Sequence, residues 1–443
     1  MRRTALVAFA LLMLVSGCVS PPPASAPPPL QPAPPPDLPP IDSQPAFGEA
    51  IFVTTLSRNV DPARLGRSPI PAEEPLLAAD ARGTIYVALP ITRALFHSDD
   101  GQSFVSLWDS RESREEGLAG INDASLLADD DVLYWAGLDF RGGVAEQGFV
   151  PFQRSEDRGA TWSPPVLALD PGTRLHRPWI ARNPQTAELL VAATDFRDLL
   201  LTSSADDGAT WSPVATIPGG ILLGPAVAAE TSFVVPYLEA RTGAVHVAIR
   251  ESAGVWTTRA ATPALRSDGA GTHLPILARD SGGTLYLVYV SGDEASSEVQ
   301  RVRMVVSRDG GESWDSPIAV SAPGRSAGHP WVLAGSAGRV AVAFYQSDAG
   351  SRQIPAQWTV FIAATDRGDR EDVRWLVGPV SRDPAHFGTN CQGCVLRDAS
   401  RLDHLGFGLL PSGHPIVAWG RDAASDPGGQ DIVVARALDL RLR

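Results

Sequence analysis

The 443-residue sequence predicts an all-β chain closed into a ring of four-stranded blades, a β-propeller. Three observations lead there. An eight-residue pattern recurs at Ser155–Trp162, Ser204–Trp211 and Ser307–Trp314, with a worn copy running from His97 through Asp99 and Gly101 to Phe104. Each copy follows an apolar run such as Val302-Arg303-Met304-Val305-Val306, which reads as a strand. A second element, Arg177-Pro178-Trp179, Leu274-Pro275-Ile276 or His329-Pro330-Trp331, opens a new strand at blade-length steps: Pro178, Pro225, Pro275 and Pro330 are 47, 50 and 55 residues apart.

Ahead of the repeats lie two segments of other composition. Residues 1–18 read as an export signal, with Arg2 and Arg3 as its charged start and Ala5 to Val15 as its apolar stretch. Val15-Ser16-Gly17-Cys18 has the form of a bacterial lipobox, with Cys18 as the lipid-attachment residue; the other reading is an ordinary signal peptide with a chance cysteine. The apolar stretch is too short to span a bilayer, so the expectation is a lipid-anchored protein of the bacterial cell envelope, exported to the outer membrane or cell surface. Residues 19–46 are dominated by proline with alanine and serine and read as a semi-rigid tether, reaching on the order of 60–80 Å at roughly 3 Å per residue.

The blades then follow over residues 47–443. Glu74-Pro75-Leu76-Leu77 opens the first, and weaker starts stand at Asp123-Ala124, Gly224-Pro225 and His404-Leu405. Seven starts favour seven blades, with six as the alternative. The last blade supplies only three strands in sequence, and the unpaired run Ala50–Thr55 is expected to add its outer strand and close the ring. The turn chemistry is local. Asp and Ser side chains accept backbone N–H bonds, glycine supplies positive φ, and the closing aromatic packs on the sheet.

In such a blade the start of the inner strand and the loop after the second strand share one face of the disc. The eight-residue turns lie on the other. On the first face the sequence sets Glu74, Asn122, His176, Arg177, His273, His329 and His404, four of the chain's eight histidines among them. Beside them come Arg93, Asp139-Phe140-Arg141, Asp195-Phe196-Arg197, Tyr237-Leu238-Glu239-Ala240-Arg241 and Arg421-Asp422. Arginine forks suit a carboxylate, and carboxylates with a tyrosine suit glycosidic chemistry. The ligand-binding candidates are therefore Arg141, Arg177, Arg197, Arg241, His329 and His404, and the weak catalytic candidates Tyr237, Glu239, Asp139 and Asp195. The plainer reading gives both rings to strand capping and blade-to-blade salt bridges.

The pattern Ser-x-Asp-x-Gly-x-Thr-Trp resembles the Asp box, or bacterial neuraminidase repeat, of the sialidase-like propellers, and the likeness covers roughly residues 47–443. In that family the box is a structural turn, and an Arg-Ile-Pro motif on the first inner strand supplies one of three arginines that hold the substrate carboxylate. Here Glu73-Glu74-Pro75 stands at the aligned place, so that arginine is absent, and Arg67 precedes the strand.

Charge narrows the partners. The formal net charge is −13 and the chain has no lysine, which argues against nucleic acid or an anionic bilayer as an electrostatic partner. Cys391 and Cys394 read as a small disulfide loop on an insertion of the axial face; zinc would need two further ligands, and no metal or cofactor is expected. The functional expectation is a surface-anchored propeller that binds an acidic glycan or a protein on its axial face, with an exo-acting glycoside hydrolase of sialidase type as the alternative. Changing Cys18 to Ser should abolish lipid labelling and leave the signal uncut by the lipoprotein peptidase; normal labelling of that variant would remove the lipobox reading.

Overall fold

The computed structural model describes residues 38, 40–56, 74–90, 92, 94–108, 118–120, 123–143, 147–251, 254–265, 273–292, 298–390, 402, 404–423 and 429–443. Among them, seven antiparallel sheets follow one another in chain order, each wound from its inner strand outward. Blade 1 spans 76–108, blade 2 124–169, blade 3 176–218, blade 4 220–264, blade 5 276–319 and blade 6 327–379. Blade 7 takes three strands from 406–436 and its fourth from Ile51–Leu56. Inner strands touch those of the neighbouring blades, and the strand at Leu76–Ala79 meets that at Gly406–Leu409, so the structure is a seven-bladed β-propeller.

The closing strand behaves as the sequence predicts. Ile51 pairs with Val434 and Leu56 with Gln430, antiparallel, with a bulge between Phe52 and Thr54. Blade 4 differs from expectation. Its inner strand begins at Gly220 rather than Gly224 and is broken into Gly220–Leu223 and Val227–Ala229, both pairing with Ser232–Glu239. Gly224 and Pro225 form the break, and a Cβ on Gly224 would lie 1.8 Å from the Pro275 carbonyl oxygen of the next blade.

The eight-residue turns are built as their chemistry requires. Asp206 Oδ1 accepts the Thr210 N–H at 2.8 Å and the Ser204 hydroxyl at 2.7 Å, and Ser204 Oγ accepts the Gly208 N–H at 2.8 Å. Asp157 and Asp309 repeat that set with Thr161 and Ser313. In the worn copy the acid is Asp100, not Asp99. The turn is one residue shorter, so Ser98, Gln102 and Ser103 all donate to Asp100. Asp99 is displaced outward and accepts from Thr84 and from Arg158 of blade 2.

The same turns bind blade to blade. Asp207 of the blade 3 turn accepts from Tyr134 of blade 2 at 2.9 Å and from Arg154. Trp211 sets its ring edge-on to Phe152 at 5.1 Å, and Gly208 lies so close that a Cβ there would sit 1.9 Å from the Phe152 ring. Gly208→Ala therefore meets both a clash and a φ of +87°, and should cost about 2–4 kcal/mol in a denaturant melt. Asp206 makes a separate, pH-dependent contribution. The Thr210 hydroxyl and N–H hold its carboxyl down at about 2. A carboxyl depressed on folding stabilises above its unfolded value near 4 and stops doing so as the pH falls through 2. Asp206→Ala should lower the melting temperature at pH 7, with the deficit closing between about pH 4 and pH 2.

Candidate functional site

Strand polarity places the inner-strand starts and the second-to-third-strand loops together on the face opposite the eight-residue turns. Two of those starts are built alike. Arg177 precedes Pro178 and Trp179 in blade 3, and His329 precedes Pro330 and Trp331 in blade 6. In both, pairing slips by a bulge, and the residue before proline takes positive φ, +53° at Arg177 and +50° at His329. Bulky residues enter that region only at a cost. The kink turns the two tryptophans inward. Because blades 3 and 6 are not neighbours, their side chains meet only at the hub. The Trp179 and Trp331 rings cross edge-to-face at 5.7 Å, with the His404 ring 6.0 Å from each. The Trp179 N–H donates to the Leu223 carbonyl at 3.1 Å. The hub is thus floored by aromatic rings.

Above that floor runs a charged network. Arg177 holds Glu74 of blade 1 with both terminal nitrogens and lies 3.0 Å from His404 Nδ1, while its backbone N–H donates to Asp123 at 3.0 Å. His176 Nε2 lies 3.4 Å from the same Asp123 carboxylate. On the far side, His273 and His329 stand ring to ring at 4.5 Å. The His329 backbone N–H donates to His273 Nδ1, and His273 Nε2 is 2.9 Å from Gln300 Oε1. Since Nδ1 accepts, a neutral His273 carries its proton on Nε2 and gives it to Gln300. Among the described residues no group of three or more His, Cys, Asp or Glu is placed to hold a metal ion. The Arg177 guanidinium stands between Glu74 and Asp123, 3.9 Å from the Asp123 carboxylate.

The predicted residues do not all converge here. Arg177, His404 and His329 stand at the hub. Arg141 pairs with Asp170 and lies over the Phe149 ring at 5.4 Å, outside the cluster. Arg197 and Arg241 are exposed in the second-to-third-strand loops of blades 3 and 4. Asp139 caps its own turn through the Phe140 N–H, and Asp195 accepts the N–H groups of Arg197 and Asp198. Tyr237 is 1% exposed within the core, and burial raises its phenol. Glu239 accepts from the N–H groups of Arg241 and Thr242. Burial alone would raise the Glu239 carboxyl, but the Thr242 hydroxyl and these N–H groups hold it below its usual range. Arg421 reaches Asp431 at 3.6 Å, and Asp422 takes His386 at 3.0 Å. Cys18, Arg67, Arg93, Asn122, Cys391 and Cys394 lie outside the described residues. The insertion that carries the cysteine pair begins on this face, where His386–Gly388 pairs with Ala356–Trp358.

The twin Pro-Trp starts were the signal in the sequence for the sealed hub. Asp123 carried no such signal, because its partner Arg177 is remote in the chain.

No family model and no curated protein matches this chain. Solved structures do. An ulvan lyase is similar with a TM-score of 0.51 at 11% identity, over 86% of this chain and 95% of that chain. An α-L-arabinanase of Penicillium chrysogenum follows at 0.48 and 12%, over 89% and 99%, and the NanB sialidase of Streptococcus pneumoniae at 0.44 and 10%, over 81% and 83%. The likeness to the ulvan lyase is one of fold alone.

The Arg177–Glu74 pair is nearly enclosed, with side chains 11% and 12% exposed. Removing one partner strands the other charge, so Arg177→Ala should destabilise by about 3 kcal/mol. Arg177→Ala with Glu74→Gln should recover much of that, and a double-mutant cycle in urea reads the coupling directly.

Proposed function

We propose that this protein is an exported, lipid-anchored propeller of the bacterial cell envelope that binds a glycan on its axial face. The supporting observation is the mouth itself. Glu74, Asp123, His176, Arg177 and His404 form one linked polar surface over the Trp179–Trp331 floor. Trp179 and His404 are buried beneath that surface, so what it offers a sugar is the rim: the part-exposed His176 and Asp123 for its hydroxyls and the exposed Phe196 ring stacked on His176 for a C–H face. The eight-residue turns on the other face are used up in holding the blades.

A second reading, exo-acting glycoside hydrolysis, draws on the two carboxylates that flank Arg177, since most glycoside hydrolases work with an acid pair. The sialidase type uses a tyrosine nucleophile instead, and the candidate Tyr237 is buried in the core. Against it, Arg177 already grips Glu74 bidentately and so is not offered to a substrate carboxylate.

Residues 38–443, one compact unit, are the form to assay. A glycan panel should give saturable binding that His176→Ala weakens about tenfold, with a fluorogenic sialoside left uncut. Turnover of the sialoside abolished by Asp123→Asn would favour the hydrolase. Binding of a protein but of no glycan would refute the glycan reading.

A further inference from the structure

The strained backbone positions in this propeller divide by purpose. Arg158 and Asp207 take positive φ inside the eight-residue turns, Asp130, Ala187 and Glu230 in the hairpins between first and second strands, and Arg177 and His329 at the two kinked inner strands. Phe196, at φ +69°, is the one such non-glycine residue among the described residues that stands in a second-to-third-strand loop. It sits at the tip of the short hairpin between Leu189–Thr194 and Asp198–Ser204 in blade 3, on the axial face. The hairpin tip needs a left-handed residue, a place that glycine or asparagine fills without strain. A phenylalanine there is an outlier. The turn is held for it: Phe196 N–H donates to Thr194 Oγ1 at 3.0 Å, and Asp195 takes the next two N–H groups.

The ring contributes little to the core, being 38% exposed. It stacks on His176 at 4.8 Å with 24° between the planes, and it carries the Arg174 guanidinium, centred 4.8 Å from its centroid. Arg174 is exposed, and among the described residues no carboxylate pairs with it. That sets it apart from Arg177, which holds Glu74, and from Arg141, which holds Asp170. The strain at Phe196 therefore secures one thing, a cation held on a ring whose other stacking partner is His176 at the rim of the mouth.

We propose that Arg174, carried on Phe196, is the residue by which the axial face recognises an acidic group on its ligand, so that the glycan bound is an anionic one bearing a carboxylate or sulfate. This rests on the glycan-binding reading above and adds the charge of the ligand to it. A guanidinium stacked on an aromatic keeps its edge N–H groups free and has lost its rotamer freedom beforehand, which favours a bidentate oxyanion.

The test uses a matched pair of probes, a β-1,4-linked glucuronate oligosaccharide and its neutral glucose counterpart, titrated calorimetrically into residues 38–443, with sulfated glucose oligosaccharide as a third arm to separate the two acid sources. The acidic chain, or the sulfated one, should bind about tenfold to a hundredfold more tightly than the neutral one. Arg174→Ala should erase that preference while leaving the neutral chain's affinity unchanged. Phe196→Gly removes the strain along with the ring, so it should keep or raise the melting temperature and still lose the preference. A merely structural Phe196 would instead lower the melting temperature and leave the preference intact. Equal binding of neutral and acidic chains, or a preference that survives Arg174→Ala, overturns the proposal while leaving the glycan-binding reading standing. No binding of any of the three overturns it as well, and counts against that reading too.

Discussion

The molecule hangs on a single strand pairing. Blade 7 has only three strands of its own, and Ile51–Leu56 completes it across nearly the full length of the chain. Without that pairing Gln430–Arg436 would be an open edge, and only the contact of blade 1 with the three remaining strands of blade 7 would hold the ring shut. Loop-closure entropy rises only with the logarithm of length, so joining residues about 380 apart costs little more than joining 100. Everything on the axial face follows, because the hub cluster draws Glu74 from blade 1, Arg177 from blade 3 and His404 from the approach to blade 7. An opened ring would part them.

The blades are held to one another by two different devices. Near the hub, inner strands pack side by side. Toward the rim, the turn of one blade grips the sheet of the one before it, as Asp207, Gly208 and Trp211 do with Tyr134, Arg154 and Phe152. Blade 1 is the weak member. Its shortened turn puts Gly101 against Ile85 of its own blade rather than against blade 7, and a cavity of about 420 Å³ remains at that seam.

What could be read from the sequence was what is local. The Ser and Asp of a Ser-x-Asp-x-Gly-x-Thr-Trp turn make the bonds that shape it within five residues, so its identity survives in the pattern. The same locality explains the error at Asp99: alignment by Gly101 assumed a constant turn length, and one missing residue moved the role to Asp100. The site was legible by face but not by contact. Position on the axial face marked Arg141, Arg177, Arg197 and Arg241 alike, yet which of them is neutralised depends on partners as far away as Glu74, 103 residues from Arg177. Tyr237 showed the limit of reading by position. Being near the end of the second strand says nothing of which way a side chain turns, and this one turns into the core.

The meeting of Trp179 and Trp331 has a bearing on traffic. A ring of blades ordinarily suggests a conduit, but across this hub two indoles from opposite blades meet. With Trp179 buried beneath the charged network, a molecule approaching this mouth would meet the polar rim and not the rings, so any hold on it would come from the rim.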